Sequence, residues 1–451
     1  MNVITKYVLI LFLVLTSFSL LGQSSFNLYK SKSSKIRFQL VNNIIVMPVE
    51  LNGVKLSFVL DTGVSRPILF NLVNVDSLQM KNTEVAYLRG LGKNGSIEAM
   101  RSKGNILKIG EAISVNTDVS MVFDPNINFT PRLGVPVHGI VGYNIFKDFV
   151  VEINYGSKYM RLHKRSPLKN KASRKWKSLP LDIIKNKPYL EGRVRINEKE
   201  SKVKLLIDTG GSDALWLFED SDKNMEVPKE KYFDDFLGKG LSGPVYGKRS
   251  KADSFFIDDY ELQDINVAFP DAEYLSIAKN VKSRSGSVSG NVLKRFHLFF
   301  DYKNKRLWLK KNGNFKSPFY YNNSGIILEQ RGMRVVKERT KKVRSDNYGR
   351  NIEDNSVSID LSERYSFVLR PSFEVVELRE GSNAQLAGIK LGDIITSING
   401  KPTSELTLQQ VNGYFYNKKG TRLSLRVDRD GLTRLFRFEL DDVFQKKALN
   451  P

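Results

Sequence analysis

The chain has 451 residues and 41% of them are hydrophobic, so it is long enough for more than one globular domain. It contains no cysteine, which excludes disulfide bonds, a thiol nucleophile and a lipid-modified cysteine. The formal net charge is +23, and basic residues concentrate in two runs, residues 161–177 and 331–344. We interpret these runs as solvated surface rather than a nucleic-acid site, because no aromatic-stacking or zinc motif accompanies them.

The first predicted element is an apolar segment at the N-terminus. Lys6 precedes the apolar run 7–21, which is short for a transmembrane helix and typical of a secretory signal peptide. We predict that residues 1–22 are removed; an uncleaved anchor is the alternative, because Leu20 is not the small residue preferred before a cleavage site. An exported chain without cysteine favours the periplasm or cell envelope of a bacterium. Contact of the basic runs with an anionic envelope surface, as in an adhesion protein, stays open.

The next apolar run carries a carboxylate into a turn. Residues 58–70 read FVLDTGVSRPILF, with Asp61 between a strand-like segment and a Thr-Gly pair. A buried carboxylate is unfavourable unless it is paired or hydrogen-bonded. An ordinary strand-end turn, in which Asp61 caps the backbone, would also explain this motif taken alone.

The same pattern returns in the second half of the chain. Residues 205–218 read LLIDTGGSDALWLF, and Asp208 lies 147 residues after Asp61. The similarity extends to the Gly-rich segments 87–99 and 236–250, and to the segments GIVG (139–142) and SVSG (287–290). A short helix-like segment and two strands follow each of the last two. The two halves therefore form an internal repeat.

The two halves resemble the two lobes of an aspartic peptidase of the retropepsin-like or pepsin-like kind. The resemblance spans residues 36–311 and implies a mainly β, two-lobed β-barrel fold, with the lobes at 23–170 and 171–315. It implies that Asp61 and Asp208 form a catalytic pair in which two close carboxylates share one proton and activate water. Such a site needs no metal, no cofactor and no second copy of the chain, so we expect a monomer.

The resemblance also assigns supporting residues around the pair. Thr62 and Thr209 are expected to hydrogen-bond across the lobe junction. Gly63 and Gly210 are expected to let backbone N–H groups approach the carboxylates.

The position after each Asp-Thr-Gly differs from pepsin-like enzymes, which usually have a hydroxyl there that donates to the carboxylate. This chain has Val64 and Gly211. Loss of a donor to the charged form raises a carboxyl pKa, so we expect a pH optimum less acidic than that of pepsin.

Glycine-rich hairpin tips are candidates for flaps that close over a substrate. We predict a flap at Gly90, Gly92 and Gly95. The second Gly-rich tip, 238–247, is explained equally well as an ordinary solvated hairpin. The histidines His138, His163 and His297 lack metal-ligand spacing and are predicted at the surface or at strand ends.

The pattern changes near residue 320. Residues 373–402 read as a strand, a turn, a short helix, a Gly-Asp turn and a strand ending in Asn-Gly, and they resemble a PDZ domain, which we assign to 320–445. PDZ domains bind extended peptides, often C-termini, by strand addition. The resemblance implies a carboxylate-binding loop, predicted at Ser324, Gly325 and Ile326, with residues 363–369 as the rival. A PDZ fold that only packs on the peptidase lobes is the alternative.

These observations predict an exported aspartic endopeptidase that acts on a polypeptide and whose PDZ domain binds peptide or regulates access. The alternative is a non-catalytic peptide-binding scaffold that retains the peptidase fold and acts through the PDZ domain. Peptide cleavage that disappears when either Asp61 or Asp208 is replaced by asparagine would distinguish the two.

Overall fold

A computed structural model describes residues 25–72, 77–92, 95–168, 175–275, 278, 281, 283–339 and 365–444. The predicted signal peptide, residues 1–22, lies outside the described residues, as does part of each basic run. None of the helices in these ranges is both long and apolar enough to span a membrane. The described chain is mostly strand, so the predicted mainly-β fold class is confirmed.

The chain forms two compact units. The first contains Met1–Phe129, Pro136–Tyr321 and Val443–Lys446, and the second contains Thr130–Val135, Asn322–Asp442 and Lys447–Pro451, as far as these residues are described. The first unit therefore includes both sequence repeats. The described α-helices are short: α1 Thr130–Leu133, α2 Tyr143–Asp148, α3 Gly290–Leu293, α4 Asn383–Leu386 and α5 Leu408–Phe415.

Each half of the first unit forms an eight-stranded sheet. The sheet of the first half has the order β2-β3-β4-β9-β5-β8-β7-β6, with β2 Gln39–Val41, β3 Ile44–Leu51, β4 Val54–Leu60, β5 Ile68–Leu69, β6 Thr83–Arg89, β7 Ser96–Ile109, β8 Ala112–Met121 and β9 Gly139–Val141. The sheet of the second half has the order β13-β14-β15-β20-β16-β19-β18-β17, with β13 Asp182–Ile184, β14 Lys187–Ile196, β15 Lys199–Asp208, β16 Leu215–Leu217, β17 Tyr232–Gly240, β18 Gly243–Ile257, β19 Tyr260–Pro270 and β20 Gly286–Ser289. The two orders correspond strand for strand, so the sequence repeat is also a structural repeat.

Two-residue turns set the register of the first hairpin in each half. Asn42 and Asn43 connect β2 to β3 with φ values of 45° and 67°. Lys185 and Asn186 connect β13 to β14 with φ values of 50° and 66°. Two successive residues at positive φ are typical of the type I′ turn, whose twist matches that of the paired strands. β3 and β14 therefore begin at equivalent places in the two lobes.

A six-stranded sheet joins the halves, with three strands from each. Its order is β1-β11-β10-β21-β22-β12, with β1 Ser33–Arg37, β10 Val150–Asn154, β11 Tyr159–His163, β12 Lys177–Pro180, β21 Phe296–Asp301 and β22 Arg306–Lys311. The central pair, β10 and β21, crosses between the halves. One continuous hydrophobic core includes residues of both lobes, among them Phe146 and Phe300, whose ring centroids lie 5.3 Å apart. This sheet fixes the lobes relative to each other.

The second unit contains one sheet with its own core. The order is β23-β24-β25-β27-β28, and β26 pairs with β25; the strands are β23 Ile326–Arg339, β24 Tyr365–Leu378, β25 Ile394–Ile398, β26 Lys401–Pro402, β27 Arg422–Arg429 and β28 Leu432–Glu439. Helix α5 packs into this core through Leu408, Val411 and Phe415. Buried Asp393 accepts hydrogen bonds from both Nε and Nη2 of Arg429, so its charge is compensated.

Candidate active site

The two predicted catalytic aspartates lie at the ends of equivalent strands. Asp61 follows β4 and Asp208 is the last residue of β15, and each of these strands pairs in parallel with the short strand that follows later in its lobe, β9 or β20. The structure brings the two side chains together at the junction of the lobes, where the backbone of Gly210 also lies against the Asp61 carboxyl. The backbone N–H of Gly63 donates to Asp61 Oδ1 at 2.6 Å, and that of Gly210 donates to Asp208 Oδ1 at 3.0 Å.

Glycine is required after each Asp-Thr pair because the backbone lies against a carboxylate. A Cβ at Gly210 would lie 2.5 Å from Asp61 Cγ, and a Cβ at Gly63 would lie 2.9 Å from Asp61 Oδ1. Any larger residue at Gly210 would therefore displace the carboxyl of the opposite lobe.

Thr62 and Thr209 form a reciprocal set of hydrogen bonds between the lobes. The N–H of Thr62 donates to Thr209 Oγ1 at 3.0 Å, and the N–H of Thr209 donates to Thr62 Oγ1 at 3.1 Å. Each hydroxyl in turn donates to a carbonyl of the other lobe, Thr62 to Ile207 at 2.5 Å and Thr209 to Leu60 at 2.8 Å. Both threonines are fully buried, so these bonds are shielded from water and fix the separation of the two aspartates.

The close approach of two partly buried carboxyls changes their proton affinity. Burial, with the Asp208 carboxyl as the next cause, raises the pKa of Asp61 to about 7. Burial also raises the pKa of Asp208, but the Arg284 guanidinium acts against this rise. The pair therefore retains one proton in mildly acidic solution and titrates as a unit.

The residues beyond each glycine act differently in the two lobes. The backbone N–H of Gly211 donates to the Asp208 carboxylate. This bond takes the place of the hydroxyl donor that pepsin-like enzymes usually have at the same position. In the second lobe, the β15–β20 register pairs Asp208 with Ser289. In the first lobe, β4 and β9 pair Leu60 with Val141, so the next residues, Asp61 and Gly142, lie opposite each other. Ser289 is therefore the structural equivalent of Gly142, although aligning the two segments on their final glycines pairs Gly142 with Gly290, one residue later.

Both Gly-rich hairpin tips are engaged with each other. Ser242, between β17 and β18, accepts a hydrogen bond at Oγ from the N–H of Gly90 and donates from Oγ to the carbonyl of Gly95, at 3.1 and 2.6 Å. Its N–H donates to the carbonyl of Leu91 at 3.0 Å. A Cβ at Gly92, where φ is +125°, would lie 2.3 Å from the Ser242 carbonyl. The second tip, which the sequence explains equally well as a flap or as an ordinary hairpin, is thus bonded to the first tip.

The first tip also packs onto the second lobe. Leu91 lies against two apolar clusters, one that includes Leu237 and Trp216 and one that includes Phe218. The Arg284 guanidinium lies 5.3 Å from the Phe218 ring. A chain of contacts therefore links the first tip to a cation beside Asp208.

We expect Ser242→Ala to weaken this closure. The substitution removes two hydrogen bonds, which stabilise the closed tips by about 1–3 kcal/mol in total. Amide hydrogen exchange at Gly90 should accelerate roughly tenfold, since each 1.4 kcal/mol is a factor of ten. The matched control is Ser250→Ala, which removes a buried hydroxyl of the adjoining strand β18 that donates to Lys231 O. Equal exchange at Gly90 in wild type and Ser242→Ala would contradict the closure.

In the second unit, the predicted carboxylate-binding loop is folded onto itself. The N–H of Ser324 donates to Asn322 Oδ1 at 3.1 Å, and the N–H of Ile326 donates to Ser324 Oγ at 3.0 Å. Gly325 adopts φ +76°, and a Cβ there would lie 2.6 Å from Ser382 Cβ. Two N–H groups of the loop are therefore satisfied within the chain. Part of the rival loop, residues 363 and 364, lies outside the described residues.

The segment Thr130–Val135 belongs to the same unit and lies against β23. Arg132 forms ion pairs with Glu329 at 3.0 Å and with Glu377, and Leu133 is buried. Gly134 has φ +65°, and a Cβ there would lie 2.8 Å from Cβ of Leu408, the first residue of α5. A segment of the chain itself therefore lies against both β23 and α5.

The predicted surface histidines include a half-buried pair. His163 and His297 each place Nε2 2.9 Å from a carboxylate oxygen of Glu152, which also accepts from the Tyr159 hydroxyl. Although burial acts to raise it, these hydrogen bonds hold the pKa of Glu152 below its usual range. Across the part of the chain that the structure describes, no cluster of His, Asp and Glu is arranged to hold a metal ion.

Sequence reasoning missed two cations beside the pair. Lys187 is the first residue of β14, and the β14–β15 register, continued from Tyr189–Leu206, sets it opposite Asp208. Arg284 donates to Gly286 O and Ser287 Oγ on β20, the strand beside Asp208. Aligning the two repeats on the two-residue turns that precede β3 and β14 pairs Lys187 with Ile44. This alignment could have pointed to Lys187 from the sequence.

Comparison with protein families agrees with this arrangement. Residues 47–145 match the family model described as aspartyl protease, and residues 374–429 match the model described as PDZ domain. The chain therefore contains an aspartyl protease domain and a C-terminal PDZ domain, as the sequence predicts. The first match covers the lobe of Asp61, and the shared strand order extends the assignment to the lobe of Asp208. A search of curated proteins finds no match to the chain.

Proposed function

We propose that this protein is an aspartic endopeptidase that hydrolyses polypeptides with water activated between Asp61 and Asp208. The observation that carries the proposal is the close pair of carboxyl groups at the junction of two equivalent lobes. The ionised carboxylate takes a proton from water while the protonated partner polarises the substrate carbonyl, and the proton then passes to the leaving amine. No covalent intermediate forms, and the chain's own residues supply every proton transfer.

The other parts of the chain have proposed roles around this reaction. The two joined hairpin tips open to admit an extended polypeptide and close over it, which excludes water from the site. The PDZ domain binds an extended or C-terminal peptide once Thr130–Val135 leaves β23. The apolar N-terminus and the lack of cysteine support export to a bacterial envelope, and the joining of both lobes in one chain supports action as a monomer.

The test measures cleavage of a diverse peptide mixture from pH 3 to pH 9, with products identified by mass spectrometry. The rate should fall above about pH 7, because the pair then loses the single proton that one carboxyl must hold. It should also fall in strong acid, where both carboxyls are protonated and neither can accept a proton from water. The control is the double variant Asp61→Asn/Asp208→Asn.

A rate that is highest at pH 3 would contradict the raised pKa of the pair, and a rate that still rises above pH 8 would contradict the shared-proton pair. Absence of cleavage by the wild type, with peptide binding that survives in the double variant, would instead favour the non-catalytic binding protein.

A further inference from the structure

We propose that Lys187 and Arg284 form a cationic subsite beside Asp208 that selects substrates carrying a carboxylate next to the scissile bond. This inference rests on the proposed endopeptidase function, and it names the substrate class and the residues that set it.

The position of Lys187 follows from strand register. β14 and β15 pair in antiparallel register with Tyr189 opposite Leu206, so Lys187 is opposite Asp208. The side chain is half-buried, and its Nζ makes no hydrogen bond or ion pair with any described residue. The carboxyl pair acts on this ammonium without bonding to it, so the hydrogen-bond donors of Nζ remain available to an anionic ligand.

Arg284 is held on the neighbouring strand. Its Nε donates to Gly286 O at 3.0 Å and its Nη2 to Ser287 Oγ at 2.7 Å. The Phe218 ring packs against the guanidinium. These contacts fix the cation and leave Nη1 without a hydrogen bond among the described residues.

The charges in this site do not balance. A pair that holds one proton carries a single negative charge, and the charged groups that act on it are Lys187 and Arg284. Two cations beside one anion leave one positive charge in excess. A substrate carboxylate would neutralise it in a partly desolvated place, where opposite charges attract more strongly than in water.

The first lobe has no such cations at the equivalent places. β3–β4 register places Ile44 opposite Asp61, and Val137 precedes β9 as Arg284 precedes β20. The positive charge therefore lies on one side of the pair only, and the preference should apply to one side of the scissile bond.

The test compares synthetic peptides that share one cleavage site. In one arm, separate peptides carry Glu or Gln at one of four positions, the two before and the two after the scissile bond. In a second arm, the peptide ends two residues after that bond, either as the free acid or as the amide. These arms separate an acidic side chain from a chain terminus as the source of the carboxylate. The readout is the ratio of kcat/KM for the acid and neutral members of each pair.

We expect a ratio of roughly tenfold or more at one position in the wild type, the size of a hydrogen bond to a charged group. The ratio should fall towards one in Lys187→Met and persist in Lys187→Arg, while Ile44→Met serves as the matched control in the other lobe. A wild-type ratio near one in both arms, or a ratio unchanged in Lys187→Met, would overturn the subsite. Failure to cleave any peptide would instead count against the endopeptidase function.

Discussion

Replacing either Asp61 or Asp208 by asparagine is expected to lower kcat at least about a thousandfold. The one carboxyl that remains cannot both accept a proton from water and donate a proton to the substrate. Asparagine keeps the shape of the side chain and the acceptor for the N–H of Gly63 or Gly210, so the fold should persist. Since the pair acts as a unit, the double variant should be little slower than either single variant.

The measurement is the initial rate on a peptide cleaved by the wild type, with circular dichroism to verify folding. Asp259→Asn is the matched control, because Asp259 is an exposed carboxylate of the second lobe. A single variant that keeps a tenth of the wild-type rate would refute the shared-proton pair. Losses that multiply in the double variant would show that the two carboxyls act independently.

Thr62→Val is expected to reduce the free energy of unfolding of the first unit by about 2–6 kcal/mol. The substitution leaves two buried backbone groups without partners, the N–H of Thr209 and the carbonyl of Ile207, and each costs about 1–3 kcal/mol. Valine has a similar shape, so the loss reports the hydroxyl and not a cavity. Because this bond set fixes the separation of the aspartates, kcat should fall as well.

Urea unfolding followed by tryptophan fluorescence measures the change. Thr62→Ser keeps the hydroxyl and should recover most of the stability and the rate. Thr83→Val, at an exposed position of β6, makes the same chemical change at the surface and should stay within about 0.5 kcal/mol of the wild type. A Thr62→Val variant as stable as Thr83→Val would disprove the structural role of the hydroxyl.

The sequence predicts the main architecture because its strongest signals are local. The repeated apolar-Asp-Thr-Gly stretches are short segments whose residues must be contiguous to build a strand that ends in a carboxylate. The Gly-Asp turn and the flanking short helix of the second unit are equally local. Such patterns can be recognised without knowing which strands pair.

What depends on pairing between distant segments could not be predicted in this way. Lys187 carries no motif, and its relevance appears only when β14 is set against β15. The one-residue offset that puts Ser289 in the place of Gly142 is a property of parallel register, which alignment on glycine misassigns. The link between the two hairpin tips depends on contact between Ser242 and the first tip, 147 residues or more away.

The six-stranded sheet joins two equivalent lobes within one chain, whereas a symmetric dimer would take one lobe from each of two copies. In a two-fold symmetric dimer every residue occurs on both sides of the active-site axis. A polypeptide has a direction, so such a site would accept it equally well in either orientation. The single chain allows Lys187 on one side and Ile44 on the other, and we expect this difference to give a polypeptide substrate one preferred N-to-C polarity across the pair.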